Sequence, residues 1–218
     1  MKNNYEIIIV GGGIVGCSVI YTLANFSDAK SILLLERGNS IGKGNSNREY
    51  NSKTLHEGFA ETNYSLEKVL RMKLATSILK RYVYNKFGQI PEMFSGKKSI
   101  CYKLPFFVLA QDDEVNFLES KYEQVRRVFP DVRLIDKKEI EKLEPNLVKG
   151  RREDQRILAL YKRDGIVIDF GSLAEELLED AIKASDSPKI LFNQEVKMIK
   201  EKESYIDCLL YTSDAADE

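Results

Sequence analysis

Three glycines near the start of the chain have the spacing of a dinucleotide-phosphate site. Gly11, Gly13 and Gly16 form G-x-G-x-x-G directly after an apolar run. In such a loop the first glycine permits a tight turn, the second lets the backbone approach a pyrophosphate, and the third allows close helix–strand contact. Glu36 stands twenty residues after Gly16. A carboxylate at this position can accept hydrogen bonds from the ribose hydroxyls and would repel a 2′-phosphate. The pattern favours FAD or NAD over NADP.

The residues around these glycines predict a strand–turn–helix–strand unit. Tyr5 to Val10 is a short, mostly apolar run, as expected of a buried parallel strand. Ile14 to Phe26 is apolar around most of a helical circumference, and Ser31 to Leu35 forms a second apolar run. This is one βαβ unit, in which a pyrophosphate sits on the N-terminus of the helix. We predict cofactor contacts along the whole turn and the first helical residues, at Gly11, Gly12, Gly13, Ile14, Val15 and Gly16.

The rest of the chain predicts an α/β fold in which a second domain interrupts the nucleotide-binding domain. Helical periodicity and capping residues predict helices over residues 65–87, 112–129, 137–143 and 171–183. Apolar segments predict strands over 99–110, broken at Pro105, over 157–160 and 166–170 around an Asp164-Gly165 turn, and over 190–192 and 196–199. We predict a nucleotide-binding domain over 1–90 and 163–207, part of an α+β substrate domain over 91–162, and a separate tail over 208–218.

Composition argues against several classes of protein. The formal net charge of -1 argues against a nucleic-acid partner, which usually requires a basic excess. No apolar run approaches the roughly 18 residues of a transmembrane segment, and the N-terminus does not resemble a signal peptide. Three cysteines without metal spacing and a single histidine predict no metal site and a cytoplasmic protein.

A polar segment from Tyr50 to Ser65, YNSKTLHEGFAETNYS, carries a more specific pattern. It reads Asn-x-x-Thr-x-His and then, after four residues, Glu-x-Asn-Tyr-Ser, and in this it resembles malate:quinone oxidoreductase. The likeness continues through the following helix, at Leu143-Glu144-Pro145-Asn146 and at Asp164-Gly165-Ile166-Val167. It covers about residues 5–207.

The resemblance implies an FAD-dependent enzyme that oxidises (S)-malate, a small 2-hydroxy dicarboxylate, to oxaloacetate. Electrons would pass to membrane quinone, so we expect a cytoplasmic protein that associates peripherally with the inner face of the membrane. The implied fold is a Rossmann-like FAD-binding domain of the D-amino-acid-oxidase type, with a parallel sheet, interrupted by the partial substrate domain. Glu36 and Arg37 are followed by a Gly/Ser/Asn-rich loop, which in similar flavoproteins runs along the flavin side of the cofactor.

Particular residues receive roles from this resemblance. Asn51, Ser52 and Thr54 are expected near the flavin end. Val196 either lies beside the adenine or belongs to an ordinary strand. Two further candidates have alternative roles. His56 could orient the flavin or take the substrate proton, or be a structural or flavin-linked histidine. Arg48 either binds a malate carboxylate or is a surface arginine.

Two alternatives stay open. L-2-hydroxyglutarate oxidase shares the Asn51-Ser52…His56-Glu57-Gly58 part, whereas Glu61-Thr62-Asn63-Tyr64 favours the malate enzyme. A non-catalytic flavin-binding module is the alternative of a different class, because fold alone does not settle function.

The last residues differ in character from the rest. Cys208 to Glu218 reads CLLYTSDAADE, which resembles a translated sequencing adapter. We therefore expect the natural protein to continue past Asp207, with its main catalytic residues in the missing half, and we expect the present fragment to be inactive alone.

Overall fold

The computed structural model describes residues 4–211 and divides the chain into two compact units. One unit runs up to Lys53 and resumes at Asp169; the other is Thr54–Ile168. The units meet at residues 53/54 and 168/169, whereas the sequence predicted domain boundaries at 90/91 and 162/163. Those domain boundaries remain a prediction. Of the tail, residues 212–218 lie outside the described part of the chain, and Cys208 lies in the last strand.

The elements of the first unit, in chain order, are β1 (Ile7–Val10), α1 (Ile14–Phe26) and β2 (Ile32–Leu35). The second unit contains α2 (Leu66–Phe87), β3 (Cys101–Gln111), α3 (Glu114–Val125), β4 (Val132–Asp136), α4 (Lys137–Leu143) and β5 (Ile157–Ile168). The chain then returns to the first unit with α5 (Phe170–Ala184), β6 (Pro188–Leu191), β7 (Glu195–Glu201) and β8 (Ile206–Tyr211).

The first unit is built on a parallel sheet in the order β1-β2-β6. Strand β2 lies in the centre of this sheet and all four of its residues are buried, which fits its continuous apolar sequence. Helices α1 and α5 pack against each other. Asp169 caps α5 by accepting the N–H groups of Gly171 and Ser172 at 3.1 and 3.2 Å. The βαβ unit predicted from the sequence is therefore confirmed.

The second unit is built on an antiparallel sheet in the order β3-β5-β4. The predicted break at Pro105 was wrong: β3 is one strand with an irregularity between Leu104 and Phe106. Proline has no N–H to donate, so a strand tolerates it at such a bulge. The predicted turn at Asp164-Gly165 was also wrong, because Gly165 pairs with Leu104 inside the continuous strand β5. A Cβ on Gly165 would lie 2.6 Å from the carbonyl oxygen of Leu104, so the glycine permits close approach of two strands.

Helix ends in the second unit largely follow the sequence. Ser65 caps α2, accepting the Lys68 N–H at 3.3 Å, as predicted. The N-cap of α3 is Asp113 rather than the predicted Asp112, which has a left-handed φ of 48°. The sequence interpretation missed β4, whose register is set by its pairing with β5. The core joins the helices to the sheet through the buried side chains of Phe59, Val69, Val115, Leu118, Phe129 and Leu160.

Candidate cofactor-binding site and the histidine loop

The glycine turn of the first unit brings strand β1, helix α1 and strand β2 to one point. The N–H of Gly11 donates to the Leu35 carbonyl at 2.8 Å, and Gly11 has a φ of +99°, which favours glycine. A Cβ on Gly16 would lie 2.0 Å from the Gly11 carbonyl oxygen. Helix and turn are thus in backbone contact, as the fingerprint requires.

Glu36 closes the turn from the end of β2. Its Oε2 accepts the Gly12 N–H at 2.6 Å, and its Oε1 accepts the Gly38 N–H at 2.7 Å. The carboxylate therefore connects the glycine turn to the loop after β2. Each carboxylate oxygen has more than one acceptor site, so these bonds leave room for the ribose hydroxyls that the sequence assigns to Glu36.

Ser46 lies at the N-terminus of α1, and sequence reasoning missed it. Its Oγ accepts the Ile14 N–H at 2.9 Å and would lie 3.1 Å from a Cβ on Gly13. Ser46 is buried. The first N–H groups of a helix have no partner within the helix, and here a loop residue 32 positions away supplies one. The only sequence signal was the Ser-rich composition of that loop.

A groove of about 820 Å³ opens at this turn. Many predicted cofactor residues line it, namely Gly11, Gly12, Gly13, Ile14, Val15, Gly16, Glu36, Arg37 and Asn51. Residues that were not predicted also line it, including Gly38, Lys43, Gly44, Asn45, Ser46, Phe170 and Gln194. The walls combine backbone N–H groups at a helix N-terminus with a carboxylate, which fits a pyrophosphate and a ribose.

The groove is not lined by the other predicted residues, which are Arg48, Ser52, Thr54, His56 and Val196. Asn51 lines the groove, and its side chain also folds the loop by donating to the carbonyls of Asn45 and Asn47 at 3.1 and 2.8 Å. Ser52 is exposed, as is Arg48. Thr54 lies in the second unit, in a bridge with Val167.

Val196 lies in β7, where it pairs with Leu210 of β8 and is partly buried. This is the ordinary strand position that the sequence left open as one alternative. Its contact with an adenine remains a prediction.

His56 lies on the loop that opens the second unit, residues 54–65, which is called the histidine loop below. Its Nδ1 is 2.6 Å from Oε1 of Glu61, and its side chain is 45% exposed. The ring of Phe106 meets it edge-on, with centroids 6.4 Å apart. The loop is attached to β5 by the Leu55 N–H, which donates to the Ile166 carbonyl at 2.8 Å. The structure therefore gives this histidine a fixed carboxylate partner.

Comparison with known proteins identifies the family. The family model described as malate:quinone oxidoreductase matches residues 3–212, nearly the entire chain. The chain belongs to the malate:quinone oxidoreductase family. A malate:quinone oxidoreductase of Helicobacter pylori is 29% identical over 206 residues, which are 93% of this chain and 44% of that protein. The chain thus spans less than half the length of this relative.

Two solved oxidase structures show a similar fold. Glycine oxidase from Geobacillus kaustophilus matches with a TM-score of 0.67 and 20% identity, covering 94% of this chain and 50% of that one. L-alpha-glycerophosphate oxidase from Mycoplasma pneumoniae, solved with FAD bound, matches with a TM-score of 0.65 and 19% identity, covering 94% and 49%. The predicted family and fold class are confirmed.

A buried ion cluster lies beneath the histidine loop of this malate:quinone oxidoreductase family member. Lys162 Nζ lies 2.8 Å from Glu57 Oε1 and 2.9 Å from Asp131 Oδ2, and Lys80 Nζ lies 2.5 Å from Glu57 Oε2. Glu57 and Lys162 are almost fully buried. The cluster joins the loop, α2 and β5, three parts of the second unit that are distant in sequence.

Two groups of this cluster have shifted pKa values. Burial lowers the pKa of Lys162, but its hydrogen bonds to Glu57 and Asp131 outweigh this and raise it above the ordinary value. Burial raises the pKa of Asp131, yet the hydrogen bond and charge of Lys162 leave it lowered. Lys162 therefore stabilises the folded protein fully at pH values below the pKa of an unfolded lysine, and this stabilisation is lost as the pH rises through the folded-state pKa of Lys162. Asp131 stabilises the folded protein fully at pH values above the pKa of an unfolded aspartate, and this stabilisation is lost as the pH falls through the folded-state pKa of Asp131.

Cys17 is a packing residue of α1. It is fully buried, and its Sγ lies 3.7 Å from the Gly12 carbonyl oxygen. Burial, with the nearby charges of Glu36 and Glu175, raises the pKa of the Cys17 thiol to about 12. A thiol in this state is a poor nucleophile.

We therefore expect Cys17 to resist thiol reagents in the folded protein. In a variant with Cys101 and Cys208 replaced by serine, labelling at pH 8 should be roughly 1000-fold slower than in urea, since the thiolate is the reactive form. The measurement is the absorbance change with a chromogenic disulfide. Labelling of the native protein at the rate of the unfolded chain would contradict the burial of Cys17.

Residues 4–211 contain neither a metal-binding cluster nor a membrane-spanning helix. No group of three or more His, Cys, Asp or Glu side chains in that range has the arrangement of a metal site. No helix in that range combines the length and apolar character needed to cross a membrane.

Proposed function

We propose that the protein containing this chain oxidises (S)-malate to oxaloacetate with FAD and passes the electrons to membrane quinone. The family match over residues 3–212 carries the proposal, because it covers both the glycine turn and the histidine loop. Quinone is dissolved in the membrane, so we further propose that the protein works at the inner face of the cell membrane as a peripheral protein. The substrate is a small 2-hydroxy dicarboxylate.

The groove of the first unit fits the adenine-dinucleotide part of FAD. Glycines keep side chains out of the turn, since Cβ atoms on Gly12 and Gly13 would point toward Ile41, Glu36 and Ser46 at 2.6–3.1 Å. The N–H groups at the start of α1 would hold the pyrophosphate, and Glu36 would hold the ribose. When bound, the flavin of FAD supplies the acceptor for a hydride from the substrate carbon.

The chain's own residues would bind the substrate and move its proton. We propose that His56 takes the hydroxyl proton of malate, since a histidine can accept a proton near neutral pH. Arg48 is exposed and is the proposed partner of a substrate carboxylate, because a guanidinium binds a carboxylate through two parallel hydrogen bonds. Asn51, Ser52 and Thr54 are proposed to shape the loop at the flavin end.

The test uses the complete open reading frame that contains this sequence. The purified product should contain bound FAD and reduce a dye when malate is added. We expect kcat/KM for malate to exceed that for L-2-hydroxyglutarate by roughly 10-fold or more, because one extra methylene in a fitted pocket changes discrimination by roughly 10–200-fold. The reverse preference would favour the hydroxyglutarate enzyme, and FAD binding without turnover of either acid would favour a non-catalytic flavin protein.

Replacing Gly13 with valine in that product should remove bound FAD. The branched side chain would enter the groove beside Ser46, where the pyrophosphate is proposed to bind. We expect FAD affinity to fall by at least roughly 100-fold, which corresponds to about 2.7 kcal/mol. Flavin absorbance per protein after gel filtration measures this.

Ala184→Val is the control for the valine variant. Ala184 is an exposed residue at the end of α5 and does not line the groove. This variant should keep its flavin. Normal flavin content in Gly13→Val would contradict the assignment of the glycine turn.

A further inference from the structure

The contact between His56 and Glu61 determines which ring nitrogen carries the proton. Nδ1 lies 2.6 Å from Oε1 of Glu61. An ionised carboxylate can only accept hydrogen bonds, so Nδ1 must be the donor. In a neutral imidazole the other nitrogen, Nε2, then carries the lone pair.

We propose that Glu61 is a positioning residue that holds His56 as the Nδ1–H tautomer and leaves Nε2 to accept the hydroxyl proton of the substrate. The proposal rests on the malate-oxidising function proposed above and adds a role for a residue of the same site. In the reaction, the O–H bond of malate breaks and its proton bonds to Nε2. The C–H bond would break with its electron pair as the C=O bond of oxaloacetate forms, and FAD, when bound, would supply the acceptor for that hydride.

Glu61 is held in place by the turn that contains it. The Tyr64 N–H donates to the Glu61 carbonyl at 3.0 Å. The Tyr64 carbonyl in turn accepts a hydrogen bond from the Lys121 ammonium at 2.6 Å, and Lys121 is only 3% exposed. This fixes the turn to α3. The carboxylate consequently faces the histidine from a rigid support rather than from a mobile loop.

The second oxygen of Glu61 adds to this argument. Oε2 is buried and has no hydrogen-bond partner among the described residues. A buried carboxylate oxygen without a partner is costly. Among the described residues, His56 is the one hydrogen-bond partner of the Glu61 carboxylate. This carboxylate is partly desolvated, which strengthens the bond relative to a pair in water.

The ring of His56 is fixed on one side and accessible on the other. Phe106 meets the ring edge-on, and Phe59 packs against Phe106 with centroids 5.6 Å apart. The ring nevertheless remains 45% exposed. A ring that is fixed but accessible suits a group that must meet a substrate.

Other charged groups surround the pair. Lys121 on α3 acts on Glu61 through its charge, and burial lowers the pKa of Lys121 despite that attraction. Glu57 and Lys162 line the same small cavity as His56. Each is paired within the buried cluster, so neither offers His56 an alternative fixed partner.

Nuclear magnetic resonance can read the tautomer directly, since His56 is the single histidine of the 218-residue chain. With ¹⁵N-labelled histidine, the neutral ring should show one protonated nitrogen, Nδ1, and one unprotonated nitrogen, Nε2. Glu61→Gln should keep this pattern, because the amide oxygen still accepts the Nδ1 proton. Glu61→Ala should lose it and show exchange between the two tautomers.

Glu67→Ala serves as the control, because Glu67 is an exposed residue of α2 that pairs with Arg71. It should leave the histidine spectrum unchanged. An Nε2–H tautomer in the original chain would overturn the proposal, as would an unchanged tautomer in Glu61→Ala.

Kinetics of the complete FAD-loaded protein separate positioning from loop structure. We expect Glu61→Ala to lower kcat for malate by roughly 100-fold, within the range of general-base effects, while KM changes by less than about threefold. Glu61→Gln should recover most of kcat. Equal loss in the Gln and Ala variants would overturn the positioning role. If the tautomer is as expected but the unaltered protein oxidises no malate, the proposed function fails and the pairing stands.

Discussion

Alanine in place of Gly16 is expected to lower the free energy of unfolding by about 3 kcal/mol or more. Helix propensity alone predicts the opposite, since alanine is more favourable than glycine within a helix by roughly 1 kcal/mol. At this position a Cβ would lie 2.0 Å from the Gly11 carbonyl oxygen, a backbone atom with no freedom to rotate away. Overpacking of a tight interior typically costs about 1–3 kcal/mol and sometimes more, so the steric term should win.

Urea denaturation followed by circular dichroism measures the Gly16 effect. Gly44→Ala is the control for stability, because that glycine is exposed and has open space at its Cβ position. Its free energy of unfolding should stay within about 0.5 kcal/mol of the original. If Gly16→Ala were equally stable or more stable, the close contact between α1 and the turn would not exist.

Removing the Glu57 carboxylate is the second large effect that we expect. Glu57 is 5% exposed and pairs with both Lys80 and Lys162. Among the described residues, Glu57→Leu would leave the buried Lys162 with one charged partner, Asp131, whose side chain is 57% exposed. Breaking a buried ion pair on one side typically costs about 3–5 kcal/mol. Hydrogen exchange of the β5 amides measures the loss in the second unit.

Two comparisons define the origin of the Glu57 effect. Glu123→Ala removes an exposed i,i+3 pair with Arg126, and exposed pairs contribute only about 0–1 kcal/mol. The double variant Glu57→Leu, Lys162→Met removes both buried charges and should recover much of the lost stability, because an apolar pair can replace a buried ion pair. A double variant as unstable as Glu57→Leu would show that packing, not the uncompensated charge, causes the loss.

Secondary structure was predictable where its cause is local. The βαβ unit follows from apolar runs separated by a glycine turn, and the start of α2 follows from the Ser65 cap. The two wrong breaks, at Pro105 and at Asp164-Gly165, occurred where the sequence carries turn residues. There the long pairing of β3 with β5 overrides local preference, through a bulge at the proline and a close strand approach at the glycine.

For this protein, the sequence by itself determined the cofactor turn and the family, because both depend on the spacing of neighbouring residues. The contact of Glu36 with the Gly12 N–H follows from a strand that must end beside the turn. Only the tertiary structure brought Ser46 to the start of α1 and Lys162 to Glu57, pairs separated by 32 and 105 residues. Such contacts depend on loop paths and strand register, which spacing along the chain does not encode. The same holds for the rigid placement of Glu61 beside His56, because the buried Lys121 that anchors its turn comes from a distant helix.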